Sequence, residues 1–195
     1  MMRLGIGLRT AIFCGLLVCG FVGGSAMEKQ GEVRLVEVPT IAARPEDVST
    51  IEGIVKASYE TISAGVGVPR QWGRDRTLFA PSVRYVSLSK SKVGEVRART
   101  CDYQKYLNES DGFLVKEGFT EVELGREIKR FGNVATVLSS YEGRIQSTGK
   151  VEVVTRGVNI FSLYFDGKRW WIQTMMWDEE SPENPIPANL LPGKK

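Results

Sequence analysis

Between residues 46 and 177 the spacing of apolar side chains changes character once, and that change orders the chain. Val48, Ile51, Ile54, Val55, Tyr59 and Ile62 recur at helical spacing. Pro45, Glu46 and Asp47 suit the first turn of that helix, because proline needs no donor there and acids favour the positive end of the dipole. Gly65 and Gly67 end it. A shorter helix is predicted over 71–79, stopping before Pro81. VRYVSL at 83–88 alternates as a strand does, and the polar, basic stretch 89–99 reads as a solvated connection. Thr100 is the expected cap of a third helix, with Asp102 in its first turn and a frayed end at Gly112.

After Gly118 the period falls from near 3.6 to 2. Residues 119–131 set Val122, Leu124, Arg126 and Ile128 on one side, with Glu121, Glu123, Gly125 and Glu127 on the other. Strands follow at 134–145 and from 151 into an Asp166-Gly167 turn, and a last strand covers 170–177. A two-residue turn there would pair Leu163 with Trp170 and Phe161 with Ile172. One face of that hairpin then holds Phe161, Leu163, Phe165, Trp170, Ile172 and Met176. The other holds Val158, Ile160, Tyr164, Trp171, Met175 and Trp177. Burying a side chain of this size contributes about 1.5–3 kcal/mol, so neither face belongs in water. Helices segregated from an antiparallel meander predict an α+β fold. Three helices cover one face only; the other must meet a bent part of the sheet, the C-terminal tail or a second subunit. A curled sheet with a cavity on its helix side and a homodimer on its outer side satisfies both.

The flanks read differently. Residues 1–26 have the form of a secretory signal, with Arg3 and Arg9 before an apolar run and small residues Gly24 and Ala26 at a cleavage point. The run is shorter than the roughly 20 residues a membrane span needs. An exported protein, periplasmic or secreted and without a membrane span once the signal is removed, is the expectation. Residues 27–45 are a lead-in with a short strand around 33–38, residues 46–178 the domain, and residues 179–195 a proline-rich tail that packs loosely if at all.

Composition narrows the chemistry. Of 195 residues 42% are hydrophobic and 25% charged, the profile of a globular domain. The net charge of +3 is too small and too scattered for a nucleic-acid footprint. Histidine is absent, which removes the commonest general base and zinc ligand together. Signal removal leaves Cys101 alone, so no internal disulfide or clustered-cysteine metal site is expected; it reads as a packing residue at a helix start.

FGNVATVLSSYEGR at 131–144, followed by RGVNIFSLYFDGKRWWIQTMMW at 156–177, resembles the C-terminal half of nuclear transport factor 2-like (NTF2-like), or SnoaL-like, domains. The matching parts are Gly-Asn-Val-Ala opening a strand, Tyr141 late in it, Asn159 before the penultimate strand, and Gly167 with Trp170, Ile172 and Trp177. The resemblance covers about residues 46–178. It implies three helices packed in a strongly curved antiparallel sheet, a cone with a pocket, and often a homodimer. It does not imply one function, since such domains include isomerases, dehydratases, polyketide cyclases, transport factors and binding modules.

Enzymes of this kind use a desolvated carboxylate in the cone, with a donor for the developing oxyanion. Without histidine, an aspartate-plus-tyrosine arrangement is the version left. Asp75, Asp102 and Glu127 are the acids nearest apolar elements, but Asp75 between two arginines reads as a surface ion-pair partner, Asp102 as a helix-start residue and Glu127 as a solvated strand face. No catalytic residue is assigned. The pocket-lining candidates are Tyr59, Trp72, Tyr85, Tyr103, Glu127, Tyr141, Asn159 and Trp177. The expected function is a small-molecule-binding or accessory module for an apolar ligand, with no cofactor and no metal. The alternative is a cofactor-free lyase or isomerase that uses a pocket carboxylate.

Overall fold

Thr50 interrupts the first helix that the sequence predicts as continuous. The computed structural model describes residues 35–91, 94–146 and 149–193; the signal reading and the start of the lead-in fall outside them. Helix α1 is Pro45–Val48 and α2 is Ile51–Ile62. Thr50 adopts an extended conformation between them, and its hydroxyl accepts from the Gly53 amide at 2.9 Å. A threonine side chain satisfies an orphan amide better as a cap than in a helix interior. Gly53 is also where the two helices touch, since a Cβ there would lie 2.4 Å from Glu46 O.

The third helix, α3, is Trp72–Arg76, shorter than expected at both ends because residues 77 and 78 turn into strand β1, Phe79–Lys90. Arg74 joins the first three helices: its guanidinium donates to both carboxylate oxygens of Asp47 and to Glu60, each at 2.7 Å. The stretch read as a solvated connection contains strand β2, Val96–Cys101. It is an edge strand, and Arg97 and Arg99 along it are the kind of charge that blunts an open edge and hides the apolar alternation. The cap of the next helix, α4 (Tyr103–Glu117), is Asp102 and not Thr100; its carboxylate accepts from the Lys105 amide at 2.9 Å. Gly112 does not end this helix. Gly118 does, in the left-handed conformation at φ 62°, with its amide bonded to Leu114 O.

Strands β3 (Thr120–Phe131), β4 (Val134–Ile145), β5 (Glu152–Phe165) and β6 (Trp170–Glu179) follow the predicted meander. The sheet order is β2-β1-β6-β5-β4-β3. Every neighbouring pair is antiparallel except β1 with β6, which run parallel. No strand forms over residues 35–38.

The β5–β6 register differs from the two-residue turn. Asp166 accepts from the backbone amides of Lys168 and Arg169, and Phe165 pairs with Trp170, Leu163 with Ile172 and Phe161 with Met175. A bulge at Gln173 then exchanges the two methionines between faces, so Met175 and Trp177 join Phe161 and Leu163 on the concave side. A second bulge lies in β3, where pairing steps from Glu123↔Tyr141 to Gly125↔Ser140. An extra residue on one strand bends and twists the sheet, and these bulges help curl this one around the helices.

The core is Ile54, Val55, Leu78, Val83, Leu107, Val137, Phe161 and Ile172 with the residues around them. Trp170 is buried in it, and Trp171 is half-buried on the other face beneath the Arg169 guanidinium, 3.7 Å from its ring. The C-terminal tail is not loose. A 3-10 turn at Ala188–Leu190 docks on β3 and β4: Leu190 is 1% exposed, and Ser140 Oγ donates to its carbonyl. Gly125 leaves the room, since a Cβ there would lie 2.6 Å from Leu190 O. The helices thus cover the concave face and the tail covers one strip of the convex face.

Candidate functional site

The β3 bulge decides which acids face the helices. Strict alternation would keep Glu121, Glu123 and Glu127 on one side. With the extra residue at position 124, Glu121 and Glu123 lie on the concave side with Tyr141, and Glu127 lies on the convex side with Gly125 and Ser140. Glu127 is therefore not in the cone. Its carboxylate accepts from Asn189 Nδ2 at 3.1 Å and pairs with Lys129, as a solvated strand face does.

On the concave side a chain of hydrogen bonds links four elements. Asn159 Nδ2 donates to Glu121 Oε1 at 3.0 Å and to the Tyr59 hydroxyl at 3.2 Å. Ser139 Oγ donates to Glu123 Oε1 at 2.5 Å, so its single proton is committed. Tyr59 must then donate to Ser139 Oγ, 2.7 Å away. The asparagine amide thus feeds two acceptors, and the tyrosine passes its own proton along the second branch. Tyr59, Ser139 and Asn159 are buried, whereas Glu121 keeps some solvent contact.

Glu121 is the unusual group. Burial pushes its pKa up to about 7, and the bond from Asn159 opposes that only in part. Glu123, beside it, is balanced by Arg126. The Glu121 charge in turn raises the pKa values of Tyr59, Tyr106 and Tyr141, for each of which burial is the larger cause. One carboxyl therefore sits within electrostatic reach of three phenols. Tyr106 stacks on Tyr85 with ring centroids 4.3 Å apart, and Trp177 meets its edge at 6.3 Å.

A second buried carboxyl belongs to Asp75, which is not a surface ion-pair partner but 2% exposed. Its oxygens accept from Thr61 Oγ1 at 2.6 Å and the Tyr103 hydroxyl at 2.8 Å. Burial raises its pKa to about 6 against these bonds. Both oxygens are held by neutral neighbours, so Asp75 supports the core, whereas Glu121 accepts from Asn159 through Oε1.

The structure thus brings Tyr59, Tyr85, Tyr141, Asn159 and Trp177 to the concave side. Trp72 and Tyr103 also line clefts beneath the lead-in residues 35–44, of about 680 and 440 Å³ respectively. Trp72 Nε1 donates there to Asp111 at 2.7 Å. Glu121, Ser139 and Tyr106 are the site residues that sequence reasoning missed. Gly125, isolated inside the strand beside the extra residue, is a local hint of the bulge that turns Glu121 inward. Among the described residues no His/Cys/Asp/Glu group could hold a metal ion, and no helix is long and apolar enough to cross a membrane.

No protein-family model and no curated protein matches the chain. Solved structures do. A variant of a protein of unknown function from Mycobacterium tuberculosis superposes with a TM-score of 0.51 at 12% identity, over 72% of this chain and 79% of that one. A candidate ketosteroid isomerase from Shewanella frigidimarina gives 0.43 at 19% identity, over 65% and 93%. An NTF2-like protein with a cystatin-like fold from Novosphingobium aromaticivorans gives 0.45 at 12%, over 56% and 71%. What this chain shares with the first of these proteins is the fold, an α+β arrangement with an unclosed, curved six-stranded sheet.

Proposed function

We propose that the chain is a small-molecule-binding module that takes a largely apolar ligand on its concave face and anchors it to Glu121. The carrying observation is a carboxyl whose burial pushes its pKa up to about 7 while it keeps solvent contact and has three tyrosines around it. Near neutral pH such a group serves as donor or acceptor, and the aromatic surroundings supply apolar contact. The matching ligand is a ring-sized neutral molecule with one hydroxyl or carbonyl. Native mass spectrometry of purified protein and thermal shift with a panel of steroids and aryl ketones test this. Glu121→Gln, which keeps the shape and loses the titration, should abolish the pH dependence of binding between pH 6 and about 8. Ligand stabilisation with the same pH profile in Glu121→Gln would remove the assignment.

The same proposal places the module outside the cytoplasm, following the reading of residues 1–26, and pairs two copies through the convex face. Ile160 and Met176 are half-exposed there, and light scattering at micromolar concentration checks the pairing.

A second reading rests on the same titration. A carboxylate ionising near pH 7 can accept a proton from carbon beside a ketone. Returning the proton to a different carbon isomerises the substrate with no cofactor. Deuterium wash-in from solvent water, lost in Glu121→Gln, separates this reading from binding alone.

A further inference from the structure

The 440 Å³ cleft lies outside the cone, between the lead-in residues 35–44, the start of α4 and the β5–β6 turn. Two guanidinium groups line it, those of Arg76 and Arg169. Each is held in place on an aromatic face: Arg76 lies 4.9 Å from the Tyr103 ring centroid and Arg169 lies 3.7 Å from that of Trp171. Each is also pinned by backbone carbonyls, Arg76 by Phe79 O at 2.7 Å and Arg169 by Thr77 O. Those bonds leave further N–H groups on both residues.

Among the described residues neither arginine has a carboxylate ion-pair partner, although two carboxylates are close. Asp75 is occupied by Thr61 and Tyr103. Asp166 is occupied by the Trp171 indole at 2.7 Å and by two backbone amides. The Asp166–Trp171 bond orients the indole that carries Arg169. Both acids therefore position the cationic groups without capping them. The rest of the wall is largely apolar, with Pro39 and Ile41 from the lead-in and Pro81 from β1. The lead-in is itself tied down, because the Val36 amide donates to Asn108 and Gln104 donates to the Val36 carbonyl, both at 2.9 Å.

Two fixed, unpaired guanidiniums beside apolar and aromatic walls form a recognition pattern for a carboxylate on a flat apolar body. We propose that this cleft is a second binding site, specific for aromatic carboxylates, with Arg76 and Arg169 clasping the carboxylate and the Trp171 edge and Pro39 contacting the ring. The volume suits such a molecule, within the roughly 300–1,000 Å³ of small-ligand sites. This inference is independent of the concave-face reading, since Glu121 takes no part in it.

The test is calorimetric titration with naphthalene-2-carboxylate and its neutral twin, naphthalene-2-carboxamide. The carboxylate should bind saturably and the amide about tenfold or more weakly, the loss expected when charge-assisted hydrogen bonds go. Arg76→Gln and Arg169→Gln should each weaken the carboxylate to a similar extent and leave the amide unchanged; Trp171→Ala should weaken both. If a glutamine variant fails to fold, nitrogen-15 NMR of the arginine side chains in the wild-type protein decides. The Arg76 and Arg169 Nε–H resonances should move during the carboxylate titration and stay still with the amide. Equal affinity for the two compounds, folded glutamine variants that bind as wild type, no saturable heat at millimolar carboxylate, or unmoved arginine resonances would each overturn the proposal.

Discussion

The Tyr103 hydroxyl donates to Asp75 Oδ2 at 2.8 Å, and this places a titratable carboxyl among packed aromatic rings. Burial raises the Asp75 pKa from 3.8 to about 6, while the bonds from Thr61 and Tyr103 lower it by less. The unfolded chain would release this proton near the ordinary value. Between the two values the folded protein holds a proton that the unfolded chain has lost. Stability from this group is therefore intact below about pH 4, falls as pH rises towards 6, and stays lower above that. A shift of this size corresponds to roughly 3 kcal/mol. Asp75→Asn should remove that slope, so the stability difference between variant and wild type should change by about this amount from pH 4 to 7 in urea unfolding. Parallel curves for the two proteins would show that Asp75 does not titrate in this way.

Glu121 and Asn159 give a prediction of opposite character, about one site and not global stability. The Asn159 amide lowers the Glu121 pKa by bonding its charged form. Asn159→Ala should therefore move the Glu121 titration upward from about 7, as read by carbon-13 NMR of its carboxyl. A downward move would mean that water entering the space left by the amide hydrates the carboxylate better than Asn159 does.

Leu190 and Gly125 test the docked tail. Leu190→Ala empties a fully buried site and should cost about 2–4 kcal/mol. Gly125→Ala drives a methyl group into the Leu190 carbonyl and should release the same segment. Because both changes undo one contact, the double variant should lose clearly less than the sum of the two. Additive losses would mean that the two substitutions act independently and do not release one shared segment.

Gly118→Ala is expected to cost about 2 kcal/mol or more, because the left-handed backbone penalises a Cβ. The new atom would also lie 2.6 Å from Val66. Thermal unfolding measures it, and an unchanged midpoint would show that the helix end adjusts freely.

Periodicity carried the meander. The spans of β3 and β4, and the helical faces of Ile54, Val55 and Leu107, follow from the spacing of apolar residues alone. Three things were not legible, for physical reasons. The edge strand β2 is mostly exposed, so burial never imposed an alternating pattern on it. The parallel contact of β1 with β6 joins distant segments and leaves no local mark. The bulges at Leu124 and Gln173 shift side chains between faces without a glycine or proline at the extra residue. That last point hid the site. Glu121 stood in a run of alternating acids that reads as solvated, and only the irregular β3–β4 pairing turns it towards Asn159. Asp75 was hidden by its neighbours, since two flanking arginines suggest a surface pair while the helix points the aspartate inward.

The pairing of β1 with β6 also orders events at the ribosome. The strand begun at Phe79 waits for a neighbour that emerges only with Trp170 and beyond. Until then one border of the early half hangs open, and so does the border of β5 that will receive the same strand. A chain arrested or cut before that point has lost the seam between its two halves, so it should be handed to chaperones and proteases as an unfinished whole.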